Sequence, residues 1–298
     1  MPVSFNGNRR TGTLIGAAMT ILAFTGALLL AGRTFGEPLS FASFTAMLAA
    51  LGLLASALAF GYWTWGCASL QYRLTRNTLV IEWAGNQERI PLTAIQNLVP
   101  GRELPAPQRL AGVGWLGYRI GRGTVQGQTV LMFANYHAPL ELMYVQTAQA
   151  VYCITPGDLQ RFTVEVKRRL EMGPSTTEVQ RNRRWLPWQL SAWHDRVALG
   201  LLATAALTNL ALFAYQAFVM PAVPDVTVLR FSPLGATELA GPREDLLLLP
   251  LAGLAVLLVN TGVGVALHLW ERFAAYLTFG AGVLVQCLLF LATVRLLT

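Results

Sequence analysis

Charge, cysteine and catalytic signatures are what this chain of 298 residues has little of. Charged side chains make up 12% of it, about half the share usual in soluble domains, so an ordinary soluble protein is excluded as a description of the whole. Cys67, Cys153 and Cys287 lie far apart, which leaves no disulfide framework and no zinc-ligand spacing. No Asp, Glu, Lys or Arg sits in the middle of a long apolar run, so no proton or ion route is marked. No nucleophile–base pair and no paired carboxylates recur near one face of a membrane, so no enzyme is expected. No catalytic, cofactor-binding or metal-ligating residue is therefore assigned, and no cofactor is implied.

Apolar length is what the chain has. Five runs, at 13–32, 44–65, 197–219, 246–268 and 273–294, each reach the roughly 20 residues that a helix needs to cross a hydrocarbon core at about 1.5 Å per residue. The first run is too long for the apolar part of a signal peptide, and a second follows almost at once, so an uncleaved anchor is expected. A polar insert separates the second run from the third. It carries most of the net charge of +7: between Gly66 and Arg196 there are 15 Lys and Arg against 9 Asp and Glu. An excess of this kind beside membrane spans serves orientation and lipid contact, and nucleic acid is not an expected partner. Arg9 and Arg10 precede the first run. The loop with Arg33 and Glu37 is neutral, and the stretch from Pro221 to Asp245 is acidic. Positive-inside bias then puts the N-terminus and the insert in the cytoplasm and the C-terminus outside.

Residues 66–172 read as about seven short, mainly antiparallel strands followed by one helix. The strands fall at Leu70–Thr75, Leu79–Trp83, Glu88–Leu92, Trp115–Gly121, Gln128–Ala134, Glu141–Thr147 and Gln149–Ile154, with a Pro- and Gly-rich loop from Pro100 to Gly112. Thr155-Pro156-Gly157-Asp158 predicts a helix start with Thr155 as the cap. Leu159, Phe162, Val166 and Leu170 form one apolar stripe. Lys167, Arg168 and Arg169 fall in the last turns, where cations suit the helix dipole.

The stretches YRLTRNTLVIEWAGNQERIPLTAIQNLVPG, GWLGYRIGRG and AVYCITPGDLQRFTVEVKRRL resemble the bacterial pleckstrin-homology-like (PH-like) domain of membrane proteins. That resemblance implies a seven-stranded antiparallel sandwich or barrel capped by one C-terminal helix. The fold class expected is thus an α+β membrane protein, five transmembrane helices with a PH-like domain inserted. More loosely, the loop PAVPDVTVLRFSPLGATELAGPRED and the span after it are similar to the membrane region of SdpI-like proteins. The expected layout is a two-span hairpin at 1–65, a cytoplasmic PH-like domain at 66–172, a basic and aromatic linker at 173–196 and a three-span region at 197–298.

In the linker, Arg181, Arg183 and Arg184 with Trp185, Trp188 and Trp193 suit contact with headgroups, as a lipid-sensing surface or an ordinary anchoring belt. Within the spans, Asn209 and Gln216 share a face of the third, Asn260 lies on the fourth and Gln286 on the fifth. They suit either interhelical hydrogen bonding or a path for a polar substrate. His194 and His268 belong near one interface, where they serve as anchors or approach each other; two histidines leave a tetrahedral metal site incomplete. His137 is expected to be exposed. Gly112, Gly114 and Gly117 match a dinucleotide fingerprint in spacing but lack its strand–helix context, so they are expected to permit tight bends. Gly12 and Gly16 match a helix-packing pattern.

The function expected is that of a non-enzymatic protein of the bacterial inner membrane. Its PH-like domain would act as an adaptor toward a protein partner or the membrane surface, anionic lipid included. The alternatives are a transporter or resistance-type protein of the SdpI-like kind, and an accessory subunit of a larger complex or oligomer.

Overall fold

The computed structural model describes residues 2–105, 107–136, 138–173, 181–183, 191–229 and 239–297. The chain divides into two compact units, Met1–Ala27 with Gly52–Trp185, and Leu28–Leu51 with Leu186–Thr298.

The chain opens with a short strand, β1 (Val3–Phe5), and then two long helices, α1 (Arg10–Thr34) and α2 (Phe41–Ser69). Nine strands follow: β2 (Gln71–Leu74), β3 (Thr78–Trp83), β4 (Asn86–Pro91), β5 (Ile95–Pro100), β6 (Gln108–Trp115), β7 (Tyr118–Val125), β8 (Gln128–Ala134), β9 (Met143–Thr147) and β10 (Val151–Ile154). The helix α3 (Leu159–Glu171) and a three-residue strand β11 (Arg181–Arg183) complete the first unit. One sheet has the order β1-β2-β3-β4-β11 and the other β5-β9-β10-β8-β7-β6. Among the described residues every pairing in these two sheets is antiparallel except that of β8 with β10.

Tight turns fix the registers. Between Trp83 and Asn86 stand Ala84 (φ 44°) and Gly85 (φ 78°), and between Val125 and Gln128 stand Gln126 (φ 48°) and Gly127 (φ 81°). Two consecutive left-handed residues are what a two-residue hairpin loop matched to strand twist requires. Phe5, Leu70, Tyr72, Ile81, Ile90, Phe162 and Val166 build the main core of this unit. The Phe5 ring meets Phe162 edge-on, with centroids 5.3 Å apart; burying a side chain of this size contributes about 1.5–3 kcal/mol.

The second unit holds α4 (Arg196–Val219), a hairpin of β12 (Val226–Leu229) with β13 (Leu239–Pro242), α5 (Leu248–Leu267) and α6 (Arg272–Leu297). Small residues set its packing: Ala198, Ala205 and Ala275 are buried, and Gly264 lies so close to the Phe279 ring that a Cβ would overlap it. Leu207, Leu258 and Leu284 stand more than half exposed. A helix apolar all round with leucine on its outside fits a hydrocarbon solvent. Five helices of the chain, at Arg10–Thr34, Phe41–Ser69, Arg196–Ala222, Arg243–Leu267 and Arg272–Leu297, are long and apolar enough to cross a membrane.

Several local expectations are corrected. The helix cap is Asp158, whose carboxylate accepts from the Arg161 N–H at 2.9 Å. Thr155 turns into the core instead, because buried backbone groups there need its hydroxyl. Leu170 is 40% exposed, and the buried position on that face is Arg169, whose Nη1 lies 2.5 Å from Glu165 Oε2. The loop expected from Pro100 to Gly112 gives way to strand at Gln108, and the strand expected at Trp115–Gly121 is broken by a turn at Leu116–Gly117. Part of the linker is strand: Arg181–Arg183 pairs with Arg89, Glu88 and Gln87 of β4.

Candidate functional site

Polar side chains in the first unit converge where the ends of α1 and α2 meet the sheets. Cys67 is fully buried near the end of α2 and accepts from the Thr13 hydroxyl at 3.6 Å. Asn135, at the end of β8, donates through Nδ2 to the Cys67 carbonyl at 3.2 Å, and its own N–H donates to the Thr155 hydroxyl at 2.8 Å. The Tyr72 hydroxyl donates to the Phe133 carbonyl at 2.6 Å and accepts from the Thr155 N–H at 3.1 Å. Burial pushes the Tyr72 phenol well above its ordinary range, so it stays a neutral donor. These bonds satisfy buried groups. Cys153 is also fully buried, and burial pushes its thiol up to about 12, so it is unreactive at neutral pH.

Next to this junction lies a cleft of about 260 Å³ lined by Gly114, Trp115, Leu116, Gly117, Arg119 and Tyr136. It is formed by the β6–β7 hairpin. Gly117, at φ 80°, makes the turn, and Gly112 packs backbone to backbone against Gly121. These glycines therefore serve bends and close approach. The Trp115 indole donates to the Gly12 carbonyl at 2.8 Å, and the Trp83 indole donates to the Tyr118 hydroxyl at 2.6 Å. Gly12 and Gly16 leave room for this: a Cβ on Gly12 would lie 2.8 Å from Cys67 Sγ, and one on Gly16 would lie 2.9 Å from the Trp115 ring. The small-residue pair thus brings α1 against α2 and the hairpin of its own chain. The Arg119 guanidinium lies over the Tyr136 ring, 5.4 Å from its centroid.

The amides of the second unit face one another. Asn209 donates to Gln286 Oε1 at 3.0 Å and to the Pro250 carbonyl at 3.1 Å. Gln286 donates to the Gly253 carbonyl at 2.6 Å, and Gln216 to the Leu246 carbonyl at 3.0 Å. Asn260 packs beside Gly282. The bonds of Asn209, Gln216 and Gln286 join neighbouring helices.

A second cluster carries a residue that sequence reasoning missed. Asp195 caps α4, its Oδ1 accepting from the N–H groups of Val197 and Ala198 at 2.9 and 3.3 Å. Its Oδ2 accepts from the Tyr276 hydroxyl at 2.5 Å and from His268 Nε2 at 3.0 Å. The Tyr276 and His268 bonds, then the backbone ones, hold the Asp195 carboxyl well below the usual carboxylate range. His268 is buried in this contact, whereas His194 is exposed and takes no part in it. An Asp directly before an apolar run is a helix-start signal, and Asp195 fits it. Of the linker residues, Arg181 and Arg183 lie in β11 and Trp193 is 43% exposed. Arg184, Trp185, Trp188 and His137 lie outside the described residues. Among the described residues no group of three or more His, Cys, Asp or Glu side chains is placed to hold a metal ion.

Five helices long and apolar enough to cross a membrane, with a β-rich domain between the second and third, make the chain α+β in class. Residues 70–170 match the family model of the bacterial PH domain, so the inserted domain is of that family. No curated protein and no solved structure matches the chain.

Proposed function

We propose that this chain is a non-enzymatic integral protein of the bacterial cytoplasmic membrane whose PH domain works as an adaptor on the cytoplasmic side. The observation that carries this reading is the way the domain is held. Strand β1 lies before α1, yet it pairs with β2 after α2, Val3 opposite Leu74 and Phe5 opposite Tyr72. The domain is clasped by both ends of a span-length helical pair. A domain fixed in this way presents constant faces to whatever lies at the membrane surface. The outer strands of the six-stranded sheet, β5 and β6, suit recognition by strand addition.

Affinity capture of the full-length tagged chain from native membranes in mild detergent, with reciprocal capture from the recovered protein, tests the reading. A partner recovered in both directions at fixed stoichiometry supports it. Recovery of none, together with no preference for anionic lipid after reconstitution, overturns it.

A further inference from the structure

We infer that this chain pairs with a second copy of itself in the bilayer, Asn260 of one α5 bonding to Asn260 of the other. The pairing rests on α5 lying in hydrocarbon, as the adaptor reading does, and is otherwise independent of it.

The spans carry four amide side chains. Asn209, Gln216 and Gln286 each bond to another element of the unit. Asn260 is the fourth, and among the described residues nothing bonds to it. Its Nδ2 lies against α6 at Gly282, where a Cβ would be 3.2 Å away, so α6 presents it no side chain there. The amide is half-buried, and Val259 and Val263 beside it are 63% and 47% exposed. This side of α5 is open to a further helix.

Depth makes the unmet bond costly. Asn260 stands three residues past Leu257, the midpoint of the apolar run 246–268. Three residues rise about 4.5 Å, in a hydrocarbon core about 30 Å thick. Water is thus roughly 10 Å from the amide at the nearer surface, beyond the reach of so short a side chain. Hydroxyls in the spans turn back on their own helix, as Thr261 does to the Leu257 carbonyl at 2.7 Å. An amide has two N–H groups and a carbonyl, and a bond back to one carbonyl leaves the rest unpaired. Amides at such depth find their partners across helices.

Self-complementarity selects the occupant. Two copies inserted in the same direction carry Asn260 at one depth, whatever that depth is. About a two-fold axis along the membrane normal, each amide donates to the carbonyl of the other and closes two equal bonds. Any other helix needs a polar group at the same level with capacity to spare. Helices α1 and α2 carry no amide, and Ser56 of α2 already donates to the Gly52 carbonyl at 2.8 Å.

The test uses the full-length chain. Cys67 and Cys153 are buried, and Cys287 is replaced by serine. Membranes holding Asn260→Cys are oxidised with copper phenanthroline and resolved without reductant; a disulfide-linked dimer is expected. Leu207→Cys, at an exposed position in the middle of α4, controls for chance encounter and is expected to give none. The purified chain is then reconstituted, and the paired fraction is followed against protein-to-lipid ratio by single-molecule photobleaching. Asn260 has no bond within its own chain among the described residues, so substitution leaves the fold in place. Asn260→Leu is expected to weaken pairing about tenfold, the loss of two amide bonds of the strength found between membrane helices. Asn260→Gln, which keeps the amide, retains most of the pairing. Equal crosslinking of the two cysteine variants, a parent chain unpaired at every ratio, or equal pairing of Asn260→Leu and the parent overturns the inference. Carbonate extraction separates it from the adaptor reading: a chain retained in washed membranes yet unpaired loses this interface alone, and a chain released by carbonate loses both.

Discussion

Asp195 closes the N-terminus of α4 with one carboxylate oxygen and ties α6 and the end of α5 to it with the other. Both uses require the ionised form. Its pKa is depressed in the folded chain, chiefly by the Tyr276 and His268 bonds. The stability it contributes is therefore fully present above the unfolded carboxylate value of about 3.9, and it is lost as pH falls through the folded value. Asp195→Asn is expected to lower the thermal midpoint of the full chain in detergent at neutral pH and to flatten the acid limb of the midpoint-against-pH curve. Parallel acid limbs in the two proteins would remove the assignment. A second residue-scale outcome concerns the β7–β8 turn. Gln126 is exposed and holds φ 48° before Gly127, a conformation that costs an ordinary residue about 1–2 kcal/mol and asparagine less. Gln126→Asn creates the favoured Asn-Gly loop and is expected to stabilise the chain by about 0.5–1 kcal/mol, measured as a rise in thermal midpoint.

At the scale of elements, close packing of α5 on α6 depends on Gly264 having no side chain. A Cβ there would overlap the buried ring of Phe279. Gly264→Ala is expected to cost about 1–3 kcal/mol, the usual penalty of overpacking. Phe279→Leu in the same chain should recover part of that loss, and additive losses in the double variant would show that the two residues do not share a contact. This contact was not legible in the sequence, because a glycine within an apolar run says nothing of what faces it. The long helices were legible, since hydrocarbon-crossing length leaves a plain signature. So were β3, β8 and the body of α3, where alternation or a three-and-four stripe is strong. The β1 strand was not, because three residues before a span carry no periodicity and the partner strand lies across two helices. Thr155 was misread as a cap because cap preference is local, whereas its hydroxyl is claimed by Asn135 and Tyr72 from distant parts of the chain. Of the candidate site, the glycines were visible as bends, whereas Trp115 was read as the start of a strand that runs on to Gly121. Arg119 over Tyr136 was not, since the two are brought together only by the pairing of β7 with β8.

For the whole molecule, the sidedness of the membrane decides whether the adaptor reading has any force. Five spans with arginines concentrated in the insert predict that the loop after α1 and the loop after α4 face outward, while the PH domain and the link between α5 and α6 face inward. Glu37, Pro224, Gln126 and Glu271 are exposed representatives of those four places. The native cysteines allow a clean measurement: Cys67 and Cys153 are buried, and Cys287, the exposed one, is replaced by serine. With an impermeant maleimide on intact cells, Glu37→Cys and Pro224→Cys are expected to react, and Gln126→Cys and Glu271→Cys to react only after the membrane is opened. Reaction of Gln126→Cys in intact cells would place the PH domain outside. The dense arginines of the insert would then oppose the charge rule, and cytoplasmic partners would be out of reach. The labelling pattern therefore decides whether a partner in the cytoplasm can reach the domain at all.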